Sequence, residues 1–324
     1  MNTTVIICTA NRPVILHETV LGLSRQTVQP NSIILSLCDE SSVLAETRSL
    51  PLVRCVFGPQ GLSIQRNTAI PLARTAYTLF LDDDVELGGD YIEEMERVFA
   101  EDPSIAAASG RIVADGAKGG KGIEREAAIE AVLENSGNRG CSAIKIKEFY
   151  GCNMFVRTDI LRTEKFDERL PLYGWLEDRD FLWRCAKHGK MVRNQGALIA
   201  HLATRSGRTS GVRYGYLKIA NPWHLWRKSV ISSLPELVAM YWMKTTFANL
   251  IRAIMPKQPQ SVDYKKRLKG NLMAYRDLLL FRIDPRNILN IADSTEMSEE
   301  EERDETWRSA PSRSTSLNGY SGKS

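Results

Sequence analysis

Residues 77–87 read YTLFLDDDVEL, an apolar run that ends in three consecutive aspartates. The run at residues 77–81 predicts a strand buried in a sheet. Three adjacent carboxylates repel one another unless a cation neutralises them, and Asp82 and Asp84 share a direction in an extended chain. Hard oxygen ligands suit Mg²⁺ or Mn²⁺, which usually bind together with phosphate oxygens. The stretch therefore predicts a metal and phosphate site, with a solvated acidic loop as the alternative.

Apolar runs and helical spacings alternate on both sides of this strand. The other predicted strands are residues 5–8, 32–38, 52–57 and, more weakly, 105–108. The predicted helices are residues 16–23, residues 64–76 with a kink or early break at Pro71, and residues 92–99, which Asp90 could cap. This alternation predicts an α/β fold with a parallel or mostly parallel sheet and helices on both faces.

Polar side chains directly follow several of the predicted strands. Thr9, Asn11 and Arg12 follow the first strand, Asp39 follows the second, and the aspartate triplet follows the fourth. In sheets of this class, ligands bind beyond the carboxyl ends of the strands. We therefore expect these groups to gather on one rim of the sheet and to form the binding site there.

A second acidic centre lies at Glu177 and Asp178, directly before the helical pattern of residues 179–184. Carboxylates are favoured at a helix N-terminus by the macrodipole, so capping is one interpretation. A carboxylate here could also act as a general base, provided that it reaches a hydroxyl nucleophile.

His201 follows the apolar run at residues 197–200, so it is predicted to lie at another strand end. A lone histidine is usually structural, unless the aspartate triplet is a metal site that needs a further ligand. Arg205 and Arg208 follow and could hold a diphosphate bidentately or simply be exposed.

Composition and charge limit the classes of protein that remain. The 324 residues are 43% hydrophobic, which is ample for a core, and the net charge of +4 gives no reason to expect a nucleic-acid partner. Six cysteines without a CxxC pair favour reduced thiols over a zinc site or a disulfide framework. We see no signal peptide, and residues 234–255 carry too many polar groups for a membrane span. A cytoplasmic protein is expected.

The chain changes character towards its C-terminus. Residues 116–122 predict a flexible basic loop, and long helical segments begin near residue 225. Residues 263–282 predict a helix with an apolar stripe surrounded by basic residues; the stripe is Leu268, Leu272, Tyr275 and Leu279. Such a helix suits either an anionic membrane surface or packing on the preceding domain. The predicted divisions are a domain at 1–225, a helical extension at 226–292 and a disordered tail at 293–324.

Seven segments in this order and spacing resemble glycosyltransferase family 2, across roughly residues 3–225. They are VIICTANRP (5–13), LSLCDESS (35–42), GLSIQRNTAI (61–70), YTLFLDDDVEL (77–87), FYGCNMFVRTDIL (149–161), KFDERL (165–170) and GWLEDRDFLWR (174–184). The resemblance implies a GT-A type, Rossmann-like mixed sheet flanked by helices, followed here by a C-terminal helical extension.

The resemblance also implies roles for individual residues. Thr9 and Asp39 match positions that hold the nucleotide base and ribose, and Arg66 matches the arginine of the family's R-N-x-x motif near the nucleotide. The metal ligands would be Asp82, Asp84 and His201, with Asp84 binding directly, and the catalytic base would be Asp178. The remaining residues expected in the nucleotide-sugar site are Asn11, Arg12, Asp82, Asp83, Asn153, Trp175 and Glu177.

Two departures from the family pattern bear on specificity. The usual Asp-Asp-Gly-Ser is Cys-Asp-Glu-Ser at residues 38–41, which leaves uracil, thymine and guanine open as the base. Leu176, preceded by Trp175, replaces the usual glycine before the Glu-Asp pair. We expect the second departure to affect the acceptor side.

The implied activity is that of an inverting, metal-dependent glycosyltransferase of the hexosyltransferase type. It would use Mn²⁺ or Mg²⁺ and a nucleoside-diphosphate sugar, with a UDP-sugar as the leading expectation. The acceptor would be a glycan or lipid-linked hydroxyl in surface polysaccharide synthesis, reached in the cytoplasm or by peripheral contact with the inner face of the membrane.

Two other activities remain as alternatives. A sugar-phosphate nucleotidyltransferase usually has a glycine-rich loop after its first strand, whereas residues 9–13 read TANRP without glycine. A non-catalytic sugar-nucleotide-binding protein would have lost one of the two acidic centres, and both are present.

Overall fold

The protein is built on one nine-stranded sheet, seen in a computed structural model that describes residues 2–119, 122–137, 143–146, 150–204, 211–255 and 263–292. The strands are β1 (Thr3–Cys8), β2 (Ser32–Leu37), β3 (Val53–Phe57), β4 (Tyr77–Asp82), β5 (Val85–Leu87), β6 (Ile105–Asp115), β7 (Ala143–Lys145), β8 (Asn153–Arg157) and β9 (Lys190–His201).

Helices connect and cover these strands. The α-helices are α1 (Pro13–Ser24), α2 (Ala45–Arg48), α3 (Leu62–Ala69), α4 (Tyr91–Glu101), α5 (Gly116–Gly119), α6 (Arg125–Ser136), α7 (Glu177–Cys185), α8 (Gly211–Arg227), α9 (Leu234–Glu236), α10 (Lys244–Ile254) and α11 (Tyr264–Leu279). Short 3₁₀ helices occupy Glu40–Ser42, Ile70–Leu72, Thr158–Arg162 and Pro285–Asn290, and a π-helix at Leu237–Met243 joins α9 to α10.

The sheet has the strand order β3-β2-β1-β4-β8-β6-β9-β5, with β7 paired to β9 outside this path. Strands β1 to β4 are mutually parallel, as the alternation of strands and helices predicts. Beyond β4 the expectation of a mostly parallel sheet is wrong, because β8 runs antiparallel to both β4 and β6, and β5 and β7 run antiparallel to β9. The short strands β5, β7 and β8 carry the reversals, and none of the three was predicted from its own residues. The mixed sheet implied by the family resemblance is therefore confirmed.

The core lies on both faces of the sheet. Side chains alternate along β4, so Leu79 and Leu81 face a cluster that includes residues of α1 and α4. Phe80 faces the opposite cluster, which includes Phe181 of α7 and Ala69 of α3. Burial on both sides explains why the predicted strands are continuous apolar runs.

Most predicted elements lie where the sequence puts them, with two informative differences. The helix predicted over residues 64–76 is α3, which gives way to the 3₁₀ helix Ile70–Leu72 around Pro71, as the early break anticipated. The weak strand predicted at residues 105–108 extends to Asp115, because its second half pairs with β9.

Helix α11 packs mainly through residues outside the leucine stripe, so packing through that stripe, one of its two predicted uses, is not what the structure shows. On α11, Ala274 and Asp277 are buried, whereas Leu272 and Leu279 of the leucine stripe are 58% and 78% exposed. Helix α8 runs across residue 225, and the division of domains at that point stays a prediction. Within the described chain, none of the helices is both long and apolar enough to cross a bilayer.

Several predicted features fall partly or wholly outside the described residues. Of the predicted flexible loop, residues 116–119 form α5 and residues 120–121 lie outside the description. The predicted disordered tail at 293–324, Arg205 and Arg208 also lie outside it. Five of the six cysteines are described and all five are free thiols; Cys141 is the sixth.

Candidate active site

The ends of four strands meet at one rim of the sheet. The register of β1 and β4 sets Cys8 beside Asp82, so that Thr9 follows directly at the rim. The register of β6 and β9 sets Asp115 beside His201. The expected gathering of polar groups at strand ends is thus observed, and His201 lies at a strand end as predicted.

Asp82, Asp84 and His201 offer ligand atoms that all lie within 4.8 Å of one another. Nε2 of His201 is 3.6 Å from Oδ1 of Asp84 and 3.9 Å from Oδ2 of Asp82. Nδ1 of the same ring is 3.0 Å from Oδ1 of Asp115, which orients Nε2 towards the two aspartates. Burial lowers the pKa of His201, but the hydrogen bond to Asp115 and the charges of Asp82 and Asp84 outweigh it and raise the pKa. The cluster attracts positive charge.

Asp83, the middle aspartate of the triplet, points into the protein. Its side chain is fully buried, accepts a hydrogen bond from the Thr9 hydroxyl, and lies 2.8 Å from Nη2 of Arg12. Arg12 also donates through Nη1 to Oδ2 of Asp84 at 3.2 Å. Burial raises the pKa of Asp83 to about 7. Asp83 therefore anchors Thr9 and Arg12 at the rim.

Arg66 joins the two acidic centres from beneath. Its side chain is 2% exposed and lies over the ring of Phe166. Nη1 donates to Oε1 of Glu177 at 2.9 Å, and Nη2 lies 3.7 Å from Oδ1 of Asp82. Burial raises the pKa of Glu177 to about 7 in spite of this arginine. The arginine and Glu177 hold the start of α7 against the end of β4.

Asp178 is held more openly than Glu177, at the same helix N-terminus. Oδ1 accepts from the backbone NH of Arg179 at 2.7 Å, and Oδ2 accepts from the backbone NH of Gly151 at 3.0 Å. Burial raises the pKa of Asp178. The two hydrogen bonds lower it, but by less, so the pKa remains above its ordinary value. The carboxylate is fixed in place yet half-buried.

Leu176 makes the turn into α7 with a φ of 75° and a ψ of 11°. This left-handed conformation costs a residue with a Cβ about 1 kcal/mol, which glycine avoids. The glycine usual in the resembling family is therefore replaced in sequence while its conformation is kept. Trp175, just before it, is half-buried and packs on α8 through Lys218.

Asp39 and Asn11 lie on the exposed side of the rim. Oδ1 of Asp39 accepts from the hydroxyls of Ser41 and Ser42, and the hydrogen bond from Ser41 is the main reason why the pKa of Asp39 is lowered. Within the described chain, Oδ2 of Asp39 accepts no hydrogen bond. Asp39 thus presents an ionised carboxylate at the end of β2.

Asn153 lies at the start of β8 and is fully buried. Its Oδ1 accepts from the hydroxyl of Tyr91 at 3.0 Å and from the backbone NH of Gly110 at 2.7 Å. These bonds tie α4 and β6 to the centre of the sheet beneath the rim.

The model for glycosyl transferase family 2 matches residues 4–164. Over this range the chain belongs to glycosyl transferase family 2. No curated protein sequence matches it. The family match includes β1 to β4 and the aspartate triplet but stops before Glu177, Asp178 and His201.

Solved glycosyltransferase structures have a similar fold. The crystal structure of GalNAc-T7 with UDP, GalNAc and Mn²⁺ aligns with a TM-score of 0.52 at 12% identity, over 87% of this chain and 59% of that one. S. aureus TarS aligns at 0.47 and 14%, over 85% and 43%, and its fragment 1-349 at 0.47 and 14%, over 92% and 77%. The chain thus spans less than half of the full TarS chain. The likeness to GalNAc-T7 shows a GT-A type fold.

Three groups near the aspartate triplet and His201 were missed by sequence reasoning. Asp115 orients His201, the backbone NH of Thr204 donates to Oδ2 of Asp84 at 2.8 Å, and the ring of Tyr150 lies 5.4 Å from that of His201. Asp115 could have been found if the strand beginning at residue 105 had been extended, because it would then follow the rule that polar groups at strand ends share one rim. The backbone donor has no signal in the sequence.

Proposed function

We propose that this glycosyltransferase moves a sugar from a nucleoside-diphosphate sugar, with a UDP-sugar first, to a hydroxyl of a glycan or lipid-linked acceptor, in one inverting displacement. The proposal is carried by one observation: the Asp82, Asp84 and His201 cluster lies on the same rim as Asp178, and Arg66 links the two centres. A site for a charged leaving group and a site for a base then stand side by side.

A divalent cation fits the residues of the cluster. Asp82 and Asp84 supply hard oxygen atoms, and His201 supplies a nitrogen whose ring is already oriented by Asp115. The nitrogen favours Mn²⁺ over Mg²⁺, because Mg²⁺ takes oxygen ligands almost exclusively. The solved GalNAc-T7 structure, which contains UDP and Mn²⁺, is in keeping with this choice. When bound, the cation would neutralise the charge that grows on the departing diphosphate.

Asp178 is the proposed general base. The acceptor hydroxyl gives its proton to the Asp178 carboxylate while its oxygen bonds to the anomeric carbon, and the bond from that carbon to the diphosphate breaks. A single displacement inverts the anomeric configuration and needs no nucleophile from the protein. Glu177 is committed to the buried Arg66, which makes it a positioning residue.

We infer that the nucleotide lies along the ends of β1 and β2. Asp39 offers its Oδ2 to an NH of the base, and Asn11 lies exposed beside it. Arg12, which is 22% exposed, lies between the aspartates and the solvent and suits a diphosphate oxygen. Thr9, Arg66 and Asn153 support this site through buried hydrogen bonds.

The proposal is tested by the slow release of nucleoside diphosphate from sugar nucleotides without acceptor. We expect one sugar nucleotide to release its nucleoside diphosphate at a rate that depends on Mn²⁺. In Asp84→Asn we expect this rate to depend on Mn²⁺ no longer. The matched control is Asp159→Asn, because Asp159 is an exposed aspartate beyond the opposite end of β8. An unchanged Mn²⁺ dependence in Asp84→Asn would remove the metal assignment.

The same assay separates the two alternative activities. Saturable binding of a sugar nucleotide without any release, with or without candidate acceptors, would indicate a non-catalytic binding protein. Consumption of a nucleoside triphosphate and a sugar phosphate, with pyrophosphate released, would indicate a nucleotidyltransferase.

We also propose that the enzyme works at the cytoplasmic face of a membrane on surface polysaccharide, held there by its C-terminal helices. The segment from the π-helix to the end of α10 exposes a large apolar surface, made of Met240, Met243, Phe247, Leu250, Ile251, Ile254 and Met255. Contiguous apolar patches of this kind mark interaction surfaces. Basic residues of α10 and α11 flank it, which suits anionic lipid; they are Lys244, Arg252, Lys265, Lys269 and Arg276.

A further inference from the structure

Lys218 of α8 is enclosed by aromatic rings. Its Nζ lies 3.4 Å from the ring centroid of Trp175 and 5.1 Å from that of Tyr214. The guanidinium carbon of Arg267, on α11, lies over the ring of the same tyrosine, 4.3 Å from its centroid. Among the residues that the structure describes, no carboxylate lies within ion-pair distance of the Lys218 ammonium, whereas Lys228 on the same side of the protein meets both Asp167 and Asp180.

An enclosed ammonium without an anion is costly, because it loses its water and gains no opposite charge. Burial, and after it the charge of Arg267, lowers the pKa of Lys218 to about 7. The attraction of the ammonium to the face of Trp175 offsets part of this cost.

The enclosed lysine lies beside the proposed acceptor side of the active site. Trp175 precedes Glu177 and Asp178 by two and three residues at the start of α7. Tyr173 is 49% exposed, and its ring lies 6.3 Å from that of Tyr214. Tyr173 stands two residues before Trp175, in the segment that leads into α7.

We propose that Lys218, lying on the face of Trp175, binds an oxyanion of the acceptor, either a phosphate or a sugar carboxylate. This inference rests on the proposed function, because Asp178 defines which side of the site the acceptor occupies. The rings of Trp175 and Tyr173 offer flat apolar faces to a sugar next to that anion. The acceptor is then an anionic glycan or a phosphate-linked one, and the lysine sets its position relative to the base.

The test measures oxyanion binding to the full chain by equilibrium dialysis with radiolabelled inorganic phosphate and with glucuronate, at constant ionic strength in chloride. We expect saturable binding of at least one of them, weakened at least tenfold in Lys218→Met and retained in Lys218→Arg. The matched control is Lys187→Met, because Lys187 lies 4.1 Å over the ring of Trp183 on the exposed surface and should not contribute. Binding of phosphate alone or glucuronate alone assigns the class of acceptor.

A second measurement needs no variant that could fail to fold. Acetylation of wild-type protein by acetic anhydride, mapped by peptide mass, should be slowed at Lys218 by the bound oxyanion and unchanged at Lys187. Equal dialysis results for wild type and Lys218→Met, or an absence of protection at Lys218, would overturn the proposal. Neither measurement uses nucleotide or metal, so failure here is distinct from failure of the Mn²⁺-dependent release that tests sugar transfer.

Discussion

At the scale of single residues, three identical side chains have three different environments. Asp82 is 31% exposed, Asp83 is fully buried and Asp84 is 4% exposed. Arg12 pairs with the charge of Asp83 and the Thr9 hydroxyl donates to it, whereas the outer two aspartates face His201. One run of like charges therefore supplies both a buried anchor and two members of the acidic cluster around His201.

The contrast between Glu177 and Asp178 yields a prediction. Asp178→Asn keeps the shape and loses proton acceptance, so we expect turnover to fall by roughly 10²-fold or more with donor affinity nearly intact. Glu177→Gln removes the shorter of the two ion pairs of the buried Arg66 and leaves only the one with Asp82, so we expect its effect mainly on stability. Steady-state rates at saturating donor and thermal melting of both variants give the comparison. Near-normal turnover in Asp178→Asn beside an inactive, stably folded Glu177→Gln would exchange the two roles.

Asp39 gives a second prediction at this scale. Its exposed carboxylate makes few contacts that hold the fold, so Asp39→Ala should weaken donor affinity more than it slows turnover at saturating donor. The KM for the donor and the kcat, measured with Mn²⁺ present, separate the two effects. Exposed Asp159, replaced by alanine, serves as the control. A defect confined to kcat would place Asp39 away from the nucleotide.

At the scale of elements, α8 and α11 meet backbone to backbone through two glycines. A Cβ on Gly270 would lie 2.1 Å from the carbonyl oxygen of Val212, and one on Gly215 would lie 2.0 Å from that of Arg267. Real Cβ atoms do not approach this closely, so any larger residue must separate the helices. The contact also places Lys218 and Arg267 near the same tyrosine.

This close contact predicts a loss of stability on a one-carbon substitution. Gly270→Ala should lower the free energy of unfolding by roughly 1–3 kcal/mol, since overpacking a tight contact forces backbone shifts. Gly22→Ala in α1 is the matched control, because a Cβ there meets nothing within 4 Å and alanine favours the helix by up to about 1 kcal/mol. Urea unfolding followed by circular dichroism measures both. A Gly270→Ala variant as stable as wild type would show that the helices separate freely.

At the scale of the whole molecule, charge and apolar surface are unevenly distributed. The net charge is only +4, yet the C-terminal helices combine basic residues with exposed apolar side chains. Phe247, Ile251 and Ile254 are 60%, 48% and 76% exposed on α10. The rim that bears the active site and this surface belong to different parts of the chain, so membrane contact can be tested without touching the chemistry.

Flotation with anionic liposomes tests the membrane proposal. We expect the wild-type protein to float with phosphatidylserine vesicles and the triple variant Phe247→Ser, Ile251→Ser, Ile254→Ser to stay in solution, because the apolar area that enters the interface is lost. Leu133→Ser is the control, since Leu133 is 65% exposed on α6. Equal flotation of all three proteins would remove the proposal.

The sequence by itself determined the features that depend only on residues close together along the chain. Apolar periodicity locates β1 to β4 and their helices, and the change from apolar to acidic at residue 82 marks the end of a strand. His201 at a strand end and the Glu-Asp pair at a helix start follow from the same local reasoning.

The tertiary structure alone decided what depends on register and on packing between distant segments. The pairing of β6 with β9 brings Asp115 to His201, and the burial of Arg66 turns a predicted ligand contact into a link between two acidic centres. The same holds for α11. Its buried face is set by the close contact of Gly270 with Gly215 of α8, and not by its leucines. The physical reason is that side-chain period is a local property, whereas a strand's partner and a helix's buried face are set by contacts more than 40 residues apart in the chain.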